Sequence, residues 1–269
     1  MGLLRRSPDS AFKHAGKSLD RGVALSRKAR FADAEKHLVK ATKVFEKLLP
    51  SPLAWLGLGK ALWRLSLVRF AVVAGVGHDS PGLLVAVKNG RAAAEALERA
   101  PGATAELARC HCDLVSMELE AGLATEALAH AHRAIELAEG LAAEGRSIVG
   151  VAHHNAALAH RRLGQRGKAA KQIESALRIR KTLAAEAGHP SIEEWEHTNS
   201  LVLSAQIYRE LGKPTFAANA LVRAAEIAVP LGPAAAAQLT MITQEMRLLE
   251  AAHPGVQKGK EIHLRMGGV

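Results

Sequence analysis

Aromatic side chains are scarce in this 269-residue chain, which has five Phe, three Trp and one Tyr. β-Sandwiches and barrels build their cores from aromatic and β-branched residues, so this scarcity beside abundant Ala and Leu argues against an all-β fold and for closely packed helices. Cysteine is scarcer still. Cys110 and Cys112 cannot staple a chain of this size, and the opening residues MGLLRRSPDS lack the apolar core of a secretion signal, so a reducing cytoplasm is the expected location. Gly2 opens no myristoylation motif, because Arg6 stands where Ser or Thr is needed. Long apolar runs are missing too. Leu53–Val76 is the most apolar stretch, but Lys60, Arg64 and Arg69 interrupt it. Each charge near a bilayer centre costs about 2.5–3.5 kcal/mol on insertion scales, so a buried helix is expected there and no membrane span.

Signatures of chemistry are equally thin. Ala11-x4-Gly16-Lys17-Ser18 matches a relaxed phosphate-binding loop, but Arg5-Arg6-Ser7-Pro8-Asp9-Ser10 before it cannot be the buried strand that such a loop needs. Cys110 and Cys112 stand about 200° apart around a helix, so they cannot both reach one tetrahedral ion. The chain has 13 His but no helix-borne His-Glu-x-x-His, and no nucleophile has a base and an orienting third group at a readable spacing. The expectation is therefore no catalytic residue, no cofactor, no metal site and no enzymatic activity.

What the chain does have is helical periodicity and a repeat. Phe31, Ala34, Leu38, Ala41, Val44, Phe45 and Leu48 recur at a 3.6-residue period, and Gly and Pro punctuate the sequence at Pro50, Pro101-Gly102, Gly122, Gly140 or Gly145, Gly164, Gly188-His189-Pro190, Gly212 and Pro230–Pro233. A third helix is expected to begin near Leu53, and its partner to cover Asn89 to Ala100 after an insertion around Gly75–Gly82. Cys112–Gly122, His154–Gly164 and Val202–Gly212 align with one another. In each, Ala follows the closing Gly by 5 and 12 residues: Ala127 and Ala134, Ala169 and Ala176, Ala217 and Ala224. Trp55-x2-Leu58-Gly59-x2-Leu62 fits the same grid near the start.

This pattern resembles the tetratricopeptide repeat, W-x2-L-G-x2-Y followed by G, A and A. Ala176-Leu177-Arg178-Ile179-Arg180, Gly188-His189-Pro190, Tyr208-x3-Gly212-Lys213 and Asn155-x-Ala157 resemble its longer variant, found in kinesin light chains and in many bacterial regulatory proteins. The resemblance implies an all-α, superhelical stack of about five antiparallel helix pairs with a capping helix. The expected organisation is a single repeat domain over 1–251. Its pairs lie near 11–48, 53–100, 103–144, 146–187 and 191–229, with a cap at 234–251 whose Gln238, Thr240, Gln244 and Arg247 solvate the open end. Residues 252–269 are expected to form a mobile basic tail. The Ala- and Arg-rich composition suggests a bacterial source.

Charge is uneven. The formal net charge is +10, with 12 Lys/Arg against 5 Asp/Glu in residues 1–47 and 8 against 1 in residues 160–181. The resemblance implies a concave, peptide-binding groove lined by first helices. Carried over residue by residue, that groove holds Lys60, Arg64, Arg109, Cys112, Ser116, His154, Asn155, Leu158, Arg161, Arg162, Asn199, Gln206 and Arg209. Asn155 offers a donor and an acceptor to a peptide backbone, and equally to a neighbouring helix. Cationic residues there favour a protein or peptide partner that is acidic. Two other partners are open: nucleic acid on the two basic regions, without aromatics interleaved for base stacking, and a second copy of the chain through an exposed stack end or the apolar Leu65–Val76 stretch.

Overall fold

The computed structural model describes residues 7–75, 77, 80–187 and 192–254. The chain divides into two compact units, Met1–Leu141 and Ala142–Val269. The first contains α1 (Pro8–Ser26), α2 (Phe31–Glu46), α3 (Pro52–Val73), α4 (Pro81–Glu98), α5 (Thr104–Glu120) and α6 (Ala124–Glu139). The second contains α7 (Ala143–Arg162), α8 (Arg166–Ala187), α9 (Ile192–Glu210), α10 (Pro214–Ala228), a 3-10 segment (Val229–Ala235) and α11 (Ala236–Ala252). No strand occurs among the described residues. In the first unit α1 packs on α2, α3 on α4 and α5 on α6; in the second α7 packs on α8 and α9 on α10, with α11 against α9 and α10. Short connections make each such pair an antiparallel hairpin.

The repeat grid has a direct physical meaning. Gly122, Gly164 and Gly212 have φ of 75°, 70° and 67°, the left-handed conformation that closes a helix end. In each turn the next N–H reaches back to the carbonyl five residues earlier: Leu123 to Glu118 (2.8 Å), Gln165 to His160 (2.9 Å) and Lys213 to Tyr208 (2.9 Å). The first hairpin makes the same bond, Arg30 to Leu25 at 3.0 Å, but closes on Ala29 with φ 55°. The alanines 5 and 12 residues on are all buried, including Ala34 and Ala41 of α2. Close approach is clearest at Gly59 of α3, where a Cβ would lie 2.6 Å from Leu97 Cγ and 3.1 Å from the Leu97 backbone nitrogen of α4.

Several expectations change. The partner of α3 begins at Pro81 rather than Asn89, and α3 itself runs on to Val73, so much of the apparent insertion is added helical turns. Of the two glycines offered for the next break, Gly140 ends α6 while Gly145 lies inside α7. Gly16-Lys17-Ser18 lies in the middle of α1, where no phosphate-cradling loop exists. Gln238 is not a solvated capping residue: it is buried and its amide faces Asn199 Oδ1 at 3.5 Å. The break at 188–190, part of the 75–82 segment and the tail from 255 onward lie outside the described residues.

Pro214–Ala252 is long and apolar enough, by composition, to cross a membrane. It is not one helix, because Gly232 has φ 57° and ψ −137° between α10 and α11. Their 15 and 17 residues each fall short of the roughly 20 that a span requires. Both are amphipathic, burying Leu221, Ala224 and Ala228 of α10 and Ile242, Met246 and Leu249 of α11 in a shared core.

Candidate functional site

Within each unit two first helices meet through polar side chains, α3 with α5 and α7 with α9. In the second unit, Ser147, His154 and Arg161 recur every seven residues along α7 and therefore share one stripe. Each finds a partner on α9. Ser147 Oγ donates to Glu193 Oε1 (3.3 Å), and His154 Nδ1 lies 2.9 Å from Ser200 Oγ. Arg161 donates from Nε to Glu210 Oε1 (2.8 Å) and from Nη1 to Gln206 Oε1 (2.7 Å). The row continues to α11, where Glu245 accepts from Gln206 Nε2 (2.9 Å) and Arg209 Nη2 (3.2 Å). Arg161 and Arg209 thus carry carboxylates of this same chain, Glu210 and Glu245.

Beneath that row sits a buried cation. Arg180 of α8, 4% exposed, donates to Ser200 Oγ (2.5 Å) and to the Glu196 carbonyl, and its Nη2 is 3.4 Å from Glu196 Oε2. Burial, reinforced by Arg180, pushes His154 down to about 3, so its imidazole is neutral and its Nδ1 and the Ser200 hydroxyl share one proton-donating role. Burial lifts the Glu196 carboxyl above its usual range despite Arg180. Asn155 is buried at 6% exposure and is engaged within the fold. Leu158 and Asn199 are half-buried, and Arg162 is exposed.

The first unit has a comparable wall on α3 and α5. Lys60 Nζ contacts Glu106 Oε1 at 2.7 Å, and Trp63 Nε1 donates to Asp113 Oδ2 at 2.8 Å. The Arg64 guanidinium lies 4.3 Å over the Trp63 ring, and burial lowers its pKa. Burial also raises the Asp113 carboxyl, against the Trp63 hydrogen bond and Arg64. Arg109 and Ser116 are exposed, whereas Cys112 is buried and free of any disulfide. Cys110 points away from that wall, donating its thiol to the Gly90 carbonyl at 3.7 Å, and desolvation drives its pKa far up.

Reasoning from sequence missed the most buried carboxylate among the described residues. Glu118 of α5 is fully buried and accepts from Arg91 Nε (2.9 Å) and Nη2 (2.7 Å) of α4, while His130 Nε2 of α6 lies 3.5 Å away. The His130 ring stacks on His111, with their Nδ1 atoms 2.9 Å apart, so one ring donates to the other. Burial and the neighbouring His130 hold His111 at about 4. His153 Nδ1 faces Gln172 Oε1 at 2.6 Å, the repeat equivalent of His111 and His130. The same two positions in the next hairpin hold Leu201 and Ala220, both buried. No group of three His, Cys, Asp or Glu converges on a common point among the described residues.

No protein-family model and no curated protein matches the chain. Solved structures do. A signal transduction ATPase with numerous domains and a tetratricopeptide repeat sensor, from Pyrococcus horikoshii, matches at TM-score 0.66 and 14% identity, over 95% of this chain and 36% of that one. BtubC (BKLC) from P. vanneervenii matches at TM-score 0.62 and 13% identity, over 85% of this chain and 94% of that one. PlcR from Bacillus thuringiensis, in complex with the peptide PapR7 and DNA, matches at TM-score 0.58 and 11% identity, over 86% and 74%. Glycine-closed hairpins, buried alanines 5 and 12 residues beyond each closing glycine, and these likenesses together identify the tetratricopeptide-repeat fold.

Proposed function

We propose that the chain is a non-catalytic adaptor that holds an extended protein segment against its first helices. The observation that carries this reading is the heptad row Ser147, His154 and Arg161 on α7, continued by Gln206, Arg209 and Glu245. Its lower end is half-exposed and offers both donors and acceptors, the requirement for gripping a peptide backbone largely without regard to its sequence. PlcR, which shares the fold, is seen with a peptide bound. The histidines support an architectural role, since His111, His153, His154 and His160 each have a ring nitrogen held by a neighbouring side chain. Cys110 and Cys112 are both buried and form no disulfide, which accords with a cytoplasmic setting.

The partner is an acidic segment. Arg161 and Arg209 already bind carboxylates, and an incoming Asp or Glu takes the places of Glu210 and Glu245 on the same guanidinium groups. Asn155, Leu158 and Asn199 then flank the segment, with Lys60, Arg64, Arg109, Cys112 and Ser116 as the corresponding set on the first unit. Calorimetry with a Glu/Asp-rich peptide and its Gln/Asn counterpart tests the reading. Glu245→Gln should tighten the acidic peptide about tenfold by removing the internal competitor, and Arg161→Ala should weaken it by a similar factor, as charge-assisted hydrogen bonds of about 1.5–3 kcal/mol imply. Equal affinity for both peptides, or indifference to both substitutions, would refute it.

A further inference from the structure

The two basic regions of the sequence differ in how far their cations are neutralised, the 160–181 region being partly paired while Lys168 and Lys171 stay exposed on α8. In residues 160–181, Arg161 and Arg166 converge on Glu210, and Arg180 is buried against Glu196 and Ser200. In the α1–α2 hairpin, by contrast, only Arg30 and Lys36 reach an acid among the described residues, and both reach Asp33. Lys13, Lys17 and Arg21 on α1, Lys40 and Lys43 on α2 and Lys47 at the C-cap of α2 are exposed and make no ion pair among the described residues.

Their spacing is regular. Lys36, Lys40, Lys43 and Lys47 fall at i, i+4, i+7 and i+11, one stripe running opposite the buried face of Ala34, Leu38, Ala41 and Phe45. At 1.5 Å per residue the stripe is about 16 Å long, with charges about 5–6 Å apart. Lys13, Lys17 and Arg21 repeat the four-residue step on α1, which packs against α2.

We infer that this hairpin is a docking surface for the phosphate backbone of duplex nucleic acid. Three observations select that occupant. The exposed positions between the cations, Asp20 and Ala24 on α1 and Ala32 and Glu46 on α2, include no large apolar side chain, so there is nothing to insert into a lipid surface. The same positions hold no aromatic ring on which a single-stranded base would stack. A folded protein partner needs a large anchor at the centre of its interface, and the exposed side chains along this stripe are cations, acids and alanines that supply none. A row of flexible ammonium groups matches instead a rod that presents one charge per ~1.7 Å of its axis. Binding of this kind fixes the protein on the duplex without reading its sequence.

Fluorescence anisotropy with a labelled random-sequence DNA duplex of about 20 base pairs, titrated with the full chain between about 50 and 200 mM salt, tests the assignment. The wild-type chain should bind with a steep salt dependence. Lys40→Gln/Lys43→Gln/Lys47→Gln should keep its helical circular dichroism, reduce the log–log salt slope by about 2.7, and weaken binding at least tenfold at low salt. Lys168→Gln/Lys171→Gln on α8, which removes charge from the other basic region, should leave the affinity within about twofold, as expected for cations outside the contact. No binding at low salt, equal losses in both variants, or stripe-dependent binding to phosphatidylserine vesicles or polyglutamate in place of the duplex would each overturn the inference.

Discussion

Replacing Arg91 with Ala removes the guanidinium that holds Glu118, the carboxylate with no exposed surface. Two hydrogen bonds of 2.9 and 2.7 Å disappear, each about 1.5–3 kcal/mol for a charged partner. Stripping one side of a fully buried ion pair costs about 3–5 kcal/mol, but the Arg91 side chain is 41% exposed and water screens part of its charge. The net loss is set at about 2–3 kcal/mol, a fall in Tm of about 5–10 °C for a unit of this size. His130, 3.5 Å from the same oxygen, cannot replace a guanidinium that donates to it twice. A double-mutant cycle with Arg91→Met and Glu118→Met, followed by urea and thermal unfolding, isolates the pair. The double variant should recover most of the loss suffered by Arg91→Met, because two packed apolar chains leave no charge unmet. A coupling below about 0.5 kcal/mol would show that Glu118 is satisfied by other means and that the network does not hold α4, α5 and α6 together.

Two further outcomes follow from backbone strain and from proton linkage. Ala29→Gly should stabilise the first hairpin by about 0.5–1 kcal/mol in chemical unfolding, since the left-handed conformation costs an L-residue about 1–2 kcal/mol and the added chain entropy of Gly offsets part of the gain; no gain would mean that Ala29 is unstrained. His111, His154 and the buried His197 of α9 are held at about 4, about 3 and about 4, primarily by burial. Because these folded-state values lie below the unfolded value near 6.5, their contribution is complete above that pH and is lost as the pH falls through 6.5 towards 4, by about 1–2 kcal/mol per histidine at pH 5. Tm should therefore drop between about pH 7.5 and pH 5, and an unchanged Tm across that interval would contradict the burial of these rings.

The hairpins were legible because the tightest points of the fold admit few residue types. Closing glycines with positive φ and alanines wedged between helices leave a trace at fixed spacing, and Gly122, Gly164 and Gly212 are that trace. Ala29 performs the same closure without the expected letter, so only the neighbouring pattern of Ala34 and Ala41 marked the first pair. The start of α4 was misplaced because Pro81-Gly82 reads as a turn, whereas Pro at the first helical position needs no hydrogen-bond donor. The polar core was opaque for a different reason. Glu118 and Arg91, Arg161 and Glu210, and Gln206 and Glu245 are separated by 27, 49 and 39 residues, so their partnership exists only once the helices are stacked. Read alone, each such side chain resembles a solvated helix surface, and Arg161 and Arg209 read as open cations although each holds a carboxylate of the chain.

The unlike contents of one repeated position have a consequence for assembly. Where one hairpin carries two stacked imidazoles, the next has an imidazole and an amide, and a third an isobutyl group against a methyl. Slipping the array by one unit would set the His153 ring against Ala220 and leave its ring nitrogen facing hydrocarbon. The three sites act as keys that differ in cut, so units built on one plan remain in the order in which they were synthesised.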